Sequence, residues 1–385
     1  MELIYKKRVE RGISVFQALK VGLLIERTNR KNLVALLAVV VIVFGCMFFI
    51  KAQSVGDQLN DRKGDYYHAR AILSKFQVQD ASIDGDGSDL FKNLTQQQSA
   101  IALQIASLTM ENYPLYYEAS LRIAKLRQQA FDMEGYEKVA ELLPSQLQND
   151  MNYLYFKTMH QSNKDTVSNL SHYIPFLLFF FSLVGVGWYI FMSFYTSSIL
   201  LDDFEHSSII RGYPVRFDHY ILSKCIIAFL YVLAFIALIF ISATPLLFNG
   251  LGDPAEPVKV YLGEAALISS VGYIARCIGY MVVISLFVML LSIILNVLLK
   301  NMYLTLFVHF ILYFLPVIFP SFISVFPFNP FNFMNFNEIV NGMPLDLAKP
   351  VDITMNAGLL IMLICIIAML FVIKTFFSTG KMKRA

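Results

Sequence analysis

The sequence predicts an all-α integral membrane protein: six transmembrane helices, both termini cytoplasmic, and a mainly helical extracytoplasmic domain between the first two spans. Three observations carry that prediction. Hydrophobic residues make up 57% of the 385-residue chain and charged residues only 15%, against roughly 45–50% and about 25% in soluble domains. The apolar excess is gathered into six blocks, each long enough for a bilayer core about 30 Å thick at about 1.5 Å per residue. Lysine and arginine, finally, are spread unevenly over the connecting loops.

Residues 1–32 form a basic segment that carries Lys6, Lys7, Arg8, Arg11, Lys20, Arg27, Arg30 and Lys31. Within it Phe16, Leu19, Leu23 and Leu24 share one helical face, which predicts a helix lying on the membrane surface, with a short solvated helix as the alternative. The first span covers 33–50. Its basic lead-in of about 32 residues and apolar run of about 18 are both long for a cleaved signal peptide, so an uncleaved anchor is expected.

The polar stretch 51–172 has the length of one small fold. Asp80–Asp89 reads as a flexible break, and from about Thr95 the pattern turns helical, with Ala119, Ile123, Leu126 and Ala130 on one face. Further helical stretches are expected near Tyr136–Gln148 and Met151–Gln161, making a helical hairpin or small bundle. Asp80, Ser82, Asp84 and Gly85 match the first half of a calcium loop, but Phe91 stands where the bidentate Glu belongs, so a solvated loop is expected and no metal. Asn93 and Asn169 begin formal glycosylation triplets.

The remaining spans are read at 173–195, 221–248, 277–299, 302–326 and 358–377, with a cytoplasmic loop at 196–220 and an outer hairpin at 327–356. Orientation follows from the short loops. Arg211, Arg216 and Lys224 follow the second span and Lys300 the fourth, while the loops near 249–272 and 327–356 hold only Lys259 and Lys349. The side bearing both basic termini is therefore the cytoplasmic one. Cys46, Cys225, Cys277 and Cys365 all fall in apolar blocks without ligand or C-x-x-C spacing, as packing residues do.

Several chemistries are excluded by what the chain lacks. There is no G-x-x-x-x-G-K-[ST] loop, no H-E-x-x-H and no G-x-S-x-G. The spans hold no mid-depth Asp or Glu of the kind that marks proton and ion relays. His309 is the one titratable side chain well inside a span, cysteines aside. It reads either as a packed neutral histidine or as a contact on a transport pathway. Energy for uphill transport would have to come from another polypeptide.

The loop after the second span runs from Asp202 and Asp203 through Glu205, Ser207, Ser208 and Arg211 to Gly212, Pro214, Arg216 and Lys224. Physically it is a short amphipathic helix broken by Gly212 and Pro214 before the chain re-enters the membrane; a solvated connector is the alternative. The order of acidic residue, small pair, apolar stretch, Pro-Val turn, Tyr220 with two aliphatics, Ser223 and Lys224 resembles the membrane subunits of type-2 ABC exporters. Two positions depart from that pattern: Phe217 fills the usual arginine slot, with Arg216 one place earlier, and Ser207-Ser208 replaces the more typical Gly-Thr. After the fifth span, Pro327, Asn329, Pro330 and Phe331 are similar to that family's Asn-Pro-Phe segment at the outer face, where prolines would bend the chain into a re-entrant hairpin. A plain hydrophobic loop is the other reading.

The resemblance implies a permease subunit in the cell membrane that moves an amphipathic or hydrophobic cargo outward, whether lipid, peptide or antibiotic. Its implied partners are an ABC ATPase subunit, which would bind ATP and magnesium, a second permease subunit, alike or different, and membrane lipids, with no nucleic acid. The chain itself is then no enzyme and takes no cofactor. The main rival is a multi-span membrane sensor or immunity scaffold with an extracytoplasmic ligand-binding domain. A membrane enzyme built on His309 or His172 is a weaker one, because it would require a carboxylate or nucleophile beside the histidine at membrane depth, and none is apparent.

Overall fold

Side-chain caps decide where six helices begin in the computed structural model, which describes residues 15–77, 88–201, 217–319, 326–342 and 354–378. In chain order the first ten described α-helices are α1 Val15–Arg27, α2 Arg30–Gln53, α3 Gln58–Gln77, α4 Asp89–Thr109, α5 Tyr113–Ala130, α6 Gln146–Gln161, α7 Tyr173–Thr196, α8 Phe217–Ala243, α9 Ser270–Leu299 and α10 Met302–Ile318. The last two are α11 Phe336–Asn341 and α12 Met355–Ser378. Asn29, Ser88, Asn112, Ser145, Ser269 and Asn301 each accept a backbone N–H from the first turn of the following helix, relieving donors the helix cannot pair itself. Lys300 is left-handed at φ 49° and ends α9, so Asn301 starts α10 at once and the two helices fold back on each other.

Among the described residues five helices, α2, α7, α8, α9 and α12, are long and apolar enough to cross a membrane. Their outward faces are greasy: Phe48 is 75% exposed, Phe371 67% and Val34 64%. A water-soluble monomer does not carry apolar surface on that scale, whereas lipid accommodates it. Inward, Val39, Val43, Cys46 and Ile50 of α2 are buried one helical turn apart in the same core as Phe180, Phe181, Trp188, Tyr280 and Ile284.

The expected fifth span, 302–326, is shorter than read. α10 has 17 residues and stops at Ile318, two residues after an internal proline, Pro316. The residue before a proline is disfavoured in the α conformation, and Phe319, which precedes Pro320 in the sequence, leaves the helix at φ −123° and ψ 75°, so the apolar run outlasts the helix. The fourth span starts at Ser270 rather than 277, because Ser269 supplies its cap seven residues earlier.

Helices α3, α4, α5 and α6 pack in chain order as a helical bundle. The helical pattern begins at Asp89, ahead of Thr95, and α3 was not legible as a helix because its sequence is polar nearly all round. Ala119, Ile123, Leu126 and Ala130 are buried on α5 as one face. The stretch expected as a helix near Tyr136–Gln148 is instead two short 3₁₀ turns, Tyr136–Lys138 and Ala140–Leu142; Pro144 then excludes an α-helical approach, and α6 starts afresh after Ser145. Asn93 is buried, with its amide donating to the Leu126 carbonyl at 3.0 Å, so its triplet is closed to glycosylation in the folded chain. The candidate calcium loop at 80–87 lies outside the described residues.

One element departs from an all-helical reading. Strands β1 Pro257–Tyr261 and β2 Ala265–Ser269 form an antiparallel hairpin where a loop near 249–272 was expected. Gly263 (φ +98°) turns it, and Val260 and Tyr261 are buried beneath. The hairpin wedges between α6 on one side and α9 and α11 on the other, joining the helical domain to the membrane bundle. Lys164 pairs with Asp253, Lys259 Nζ donates to Asn152 at 2.9 Å, and Tyr155 Oη donates to Glu256 Oε1 at 3.3 Å. Burial raises the Glu256 carboxyl above its ordinary value, Tyr155 partly offsetting it, while the hydrogen bond from Lys164 holds Asp253 below its own.

Candidate functional site

Of the coupling-loop residues, Asp202, Asp203, Glu205, Ser207, Ser208, Arg211, Gly212, Pro214 and Arg216 lie outside the described residues. Both ends of that loop are described, and they meet at one polar junction. The last turn of α7 and the first turns of α8 converge there with α1 and the start of α2 around a cavity of about 40 Å³. Lys31 Nζ donates to Ser198 Oγ at 2.8 Å and lies 5.3 Å from the Tyr195 ring centre. Lys224 Nζ reaches the Ile199 carbonyl at 3.4 Å. Glu26 gathers the amides of Asn29 and Asn32 on one carboxylate oxygen, at 2.9 and 2.8 Å, and Tyr231 Oη of α8 donates to the Glu26 carbonyl at 3.0 Å. The N-terminal helix is thus hydrogen-bonded to α8 as well as packed along it, while Leu23 and Leu24 remain exposed on its far side.

A buried polar line continues from this junction into the bundle. Asn296 of α9 donates to the Ser197 carbonyl at 2.8 Å and to Thr305 Oγ1 at 3.2 Å, and accepts from Leu200 N–H at 3.2 Å. One turn deeper, Thr196, Ser292, His309 and Tyr189 form a chain at 2.7–2.9 Å. Its direction follows from counting protons. Thr196 has one hydroxyl proton and gives it to the Met192 carbonyl at 2.8 Å, so it accepts from Ser292. Ser292 then accepts from His309 Nε2–H, and Nδ1 accepts from Tyr189 O–H. Every donor is used on a neutral imidazole, a tautomer assigned from these partners. A second proton on His309 would oppose the Tyr189 hydroxyl across this hydrogen bond.

The line ends in aromatic rings. Tyr189 stacks on Tyr313 at 5.1 Å between ring centres, and Tyr313 Oη donates to the Val186 carbonyl at 2.6 Å. Phe331 meets Tyr189 edge-on at 6.1 Å and Phe287 at 5.7 Å. The segment around it is a 3₁₀ turn, Pro330–Phe333, capped by Asn329, whose Oδ1 accepts from Phe331 N–H at 3.2 Å. Pro327 precedes it in a turn. α11 follows and packs against α7 at Gly185, where an added Cβ would sit 2.8 Å from the Asn337 backbone nitrogen; Ser182 donates to Asn337 Oδ1 at 2.8 Å. This irregular backbone is shielded by α7, α10 and α12, as a non-helical segment at the edge of a membrane bundle needs to be. Residues 343–353 of the expected hairpin lie outside the described residues.

Three candidates that sequence reading kept apart are therefore joined. Lys224 sits at the junction, His309 at the centre of the line and Phe331 at its far end. Tyr189, Ser292, Asn296 and Thr305 were missed. Each is a single polar residue in an apolar run, and only packing shows that they face one another. His172, the other candidate histidine, caps the start of α7 backbone-wise, with the neighbouring Tyr173 N–H bonded to the Gly250 carbonyl at 3.1 Å. Among the described residues no group of His, Cys, Asp and Glu is arranged to hold a metal. Comparisons with protein-family models, curated proteins and solved structures return no match.

Proposed function

We propose that this chain is the permease subunit of a type-2 ABC exporter, spanning the cell membrane six times with both termini inside and drawing energy from a separate ATPase. The observation that carries the reading is mechanical. The chain on either side of 202–216 meets at a single junction, which also holds the N-terminal helix; beyond it lie the buried hydrogen bonds of Asn296 and, one turn deeper, the chain Thr196–Ser292–His309–Tyr189, which meets Phe331 through an aromatic edge contact. A push on that loop acts on α1, α7 and α8 together, and through Asn296 on α9 and α10. A closing ATPase would in this way favour one of two arrangements of the bundle. His309 serves as a strut in that line. Aromatic residues (14% of the chain) suit an amphipathic or hydrophobic cargo. The outer segment at Pro327–Phe331 closes the far end.

The test is what accompanies the full chain in mild detergent. A stoichiometric ATPase of roughly 25–35 kDa, the size of one or two domains, supports the reading; a homo-oligomer with no nucleotide-binding partner overturns it. Reversing charge at Glu205 or Arg211 is expected to abolish ATP-dependent export while membrane insertion persists, and unchanged export by both variants would refute the docking role. A second reading, a multi-span sensor or immunity scaffold, is favoured by an open cleft in the helical domain. Such a protein would bind its ligand with no ATPase attached.

A further inference from the structure

The helical domain contains a cleft of about 300 Å³ between α3, α4, α5 and the start of α6, at the lower end of the range for small-molecule sites. Ile72, Leu94, Ile101, Leu142 and Leu143 supply apolar walls. Arg127 of α5 lines the same cleft. Its Nε is sealed from solvent and has no hydrogen-bond partner, and the side chain makes no ion pair among the described residues. Burial lowers its pKa from the ordinary arginine value and the Asp65 charge partly offsets this; the half-buried guanidinium stays charged at neutral pH. Buried polar groups are nearly always paired, and a sealed N–H left without an acceptor is costly.

The nearby acids do not meet this need. Asp65 is committed to Arg62, whose Nη1 lies 2.7 Å from its Oδ2, and Glu141 is exposed at the rim. They do bear on the choice of ligand. A dianionic phosphate would face both carboxylates, whereas a single carboxylate matches one guanidinium fork.

We propose that this cleft binds a small monocarboxylate amphiphile, its carboxylate on Arg127 and its hydrocarbon against Ile72, Leu94, Ile101, Leu142 and Leu143. The site requires no motor partner, so it stands or falls separately from the exporter reading.

Sodium octanoate is the probe, with octan-1-ol and octyl phosphate as controls. Binding to the full chain in lipid nanodiscs is followed by saturation-transfer NMR, with empty nanodiscs subtracted. Octanoate is expected to bind more tightly than either control. Arg127→Gln should weaken it at least tenfold while leaving octanol unchanged. Arg127→Lys should fall between, because it keeps the charge and loses the fork. Leu142→Trp, which fills the cleft without touching the charge, should abolish saturable octanoate binding and decides the matter if Arg127→Gln fails to fold. The proposal is overturned if Leu142→Trp or a folded Arg127→Gln binds octanoate as the wild type does. Octanol or octyl phosphate binding as tightly as octanoate would overturn it equally.

Discussion

Replacing His309 with phenylalanine tests the buried line directly. The ring loses two hydrogen bonds of 2.9 Å each, one from Tyr189 and one to Ser292. Inside a membrane bundle such bonds average about 0.6 kcal/mol and reach about 1.7, because the unfolded helices also find partners. Two of them give about 1–3 kcal/mol. The hydroxyls left behind in a buried site add a penalty of similar size, about 1–3 kcal/mol if neither re-pairs. Phenylalanine keeps the edge contact with Tyr189, now 5.8 Å between ring centres, so apolar packing changes little. The isolating experiment is a double-mutant cycle with Tyr189→Phe, which removes the same hydrogen bond from its other end and preserves the stack on Tyr313. Unfolding in mixed micelles by added SDS, followed by far-ultraviolet circular dichroism, yields the four free energies. A coupling of about 0.6–1.7 kcal/mol is expected. Additivity within about 0.3 kcal/mol would mean that the bond contributes nothing and that His309 is no strut.

Asn296→Leu removes three hydrogen bonds at once and should cost about 1–3 kcal/mol while impairing export more than insertion; export at the wild-type rate would detach the line from transport. Gly185→Ala forces a Cβ to within 2.8 Å of Asn337, so α11 must shift and the cost is about 1–3 kcal/mol, read as a lower melting temperature; an unchanged melt would refute that close approach. For Glu256 the effect depends on pH. Burial raises its carboxyl above 4.5, so the folded chain holds a proton that the unfolded chain releases, and the stability from that proton fades as pH climbs from about 4.5 through the raised value. Glu256→Gln retains an acceptor for Tyr155. It should therefore melt with the wild type near pH 4 and above it at pH 7.5, and identical melts at both pH values would remove the burial argument.

Much of the molecule was legible before folding was considered. A block such as Gly358–Phe377 admits one physical solution in a bilayer, since its backbone must pair within itself. The shared face of Ala119, Ile123, Leu126 and Ala130 was equally plain, because one period of 3.6 explains all four. The hairpin at 257–269 was not. Its strands are five residues each, too short to establish a period of two, and they are held by α6 and α11 rather than by their own pattern. The early end of α10 was masked because the apolar run continues past Pro316 as if the helix did too.

The amino-acid order alone determined that the chain enters the membrane, roughly where, and that a polar domain of one-fold size separates its first two spans, since transfer free energy and helix period are local sums over neighbours. Only the tertiary structure decided that Asn296, Ser292, His309, Tyr189 and Phe331 follow one another beyond the junction that holds Lys224, and that Arg127 lines a cleft with its Nε unpartnered among the described residues. Those are meetings of side chains far apart along the chain, 120 residues for Tyr189 and His309, and a hydrogen bond depends on distance in space, which no count along the chain contains.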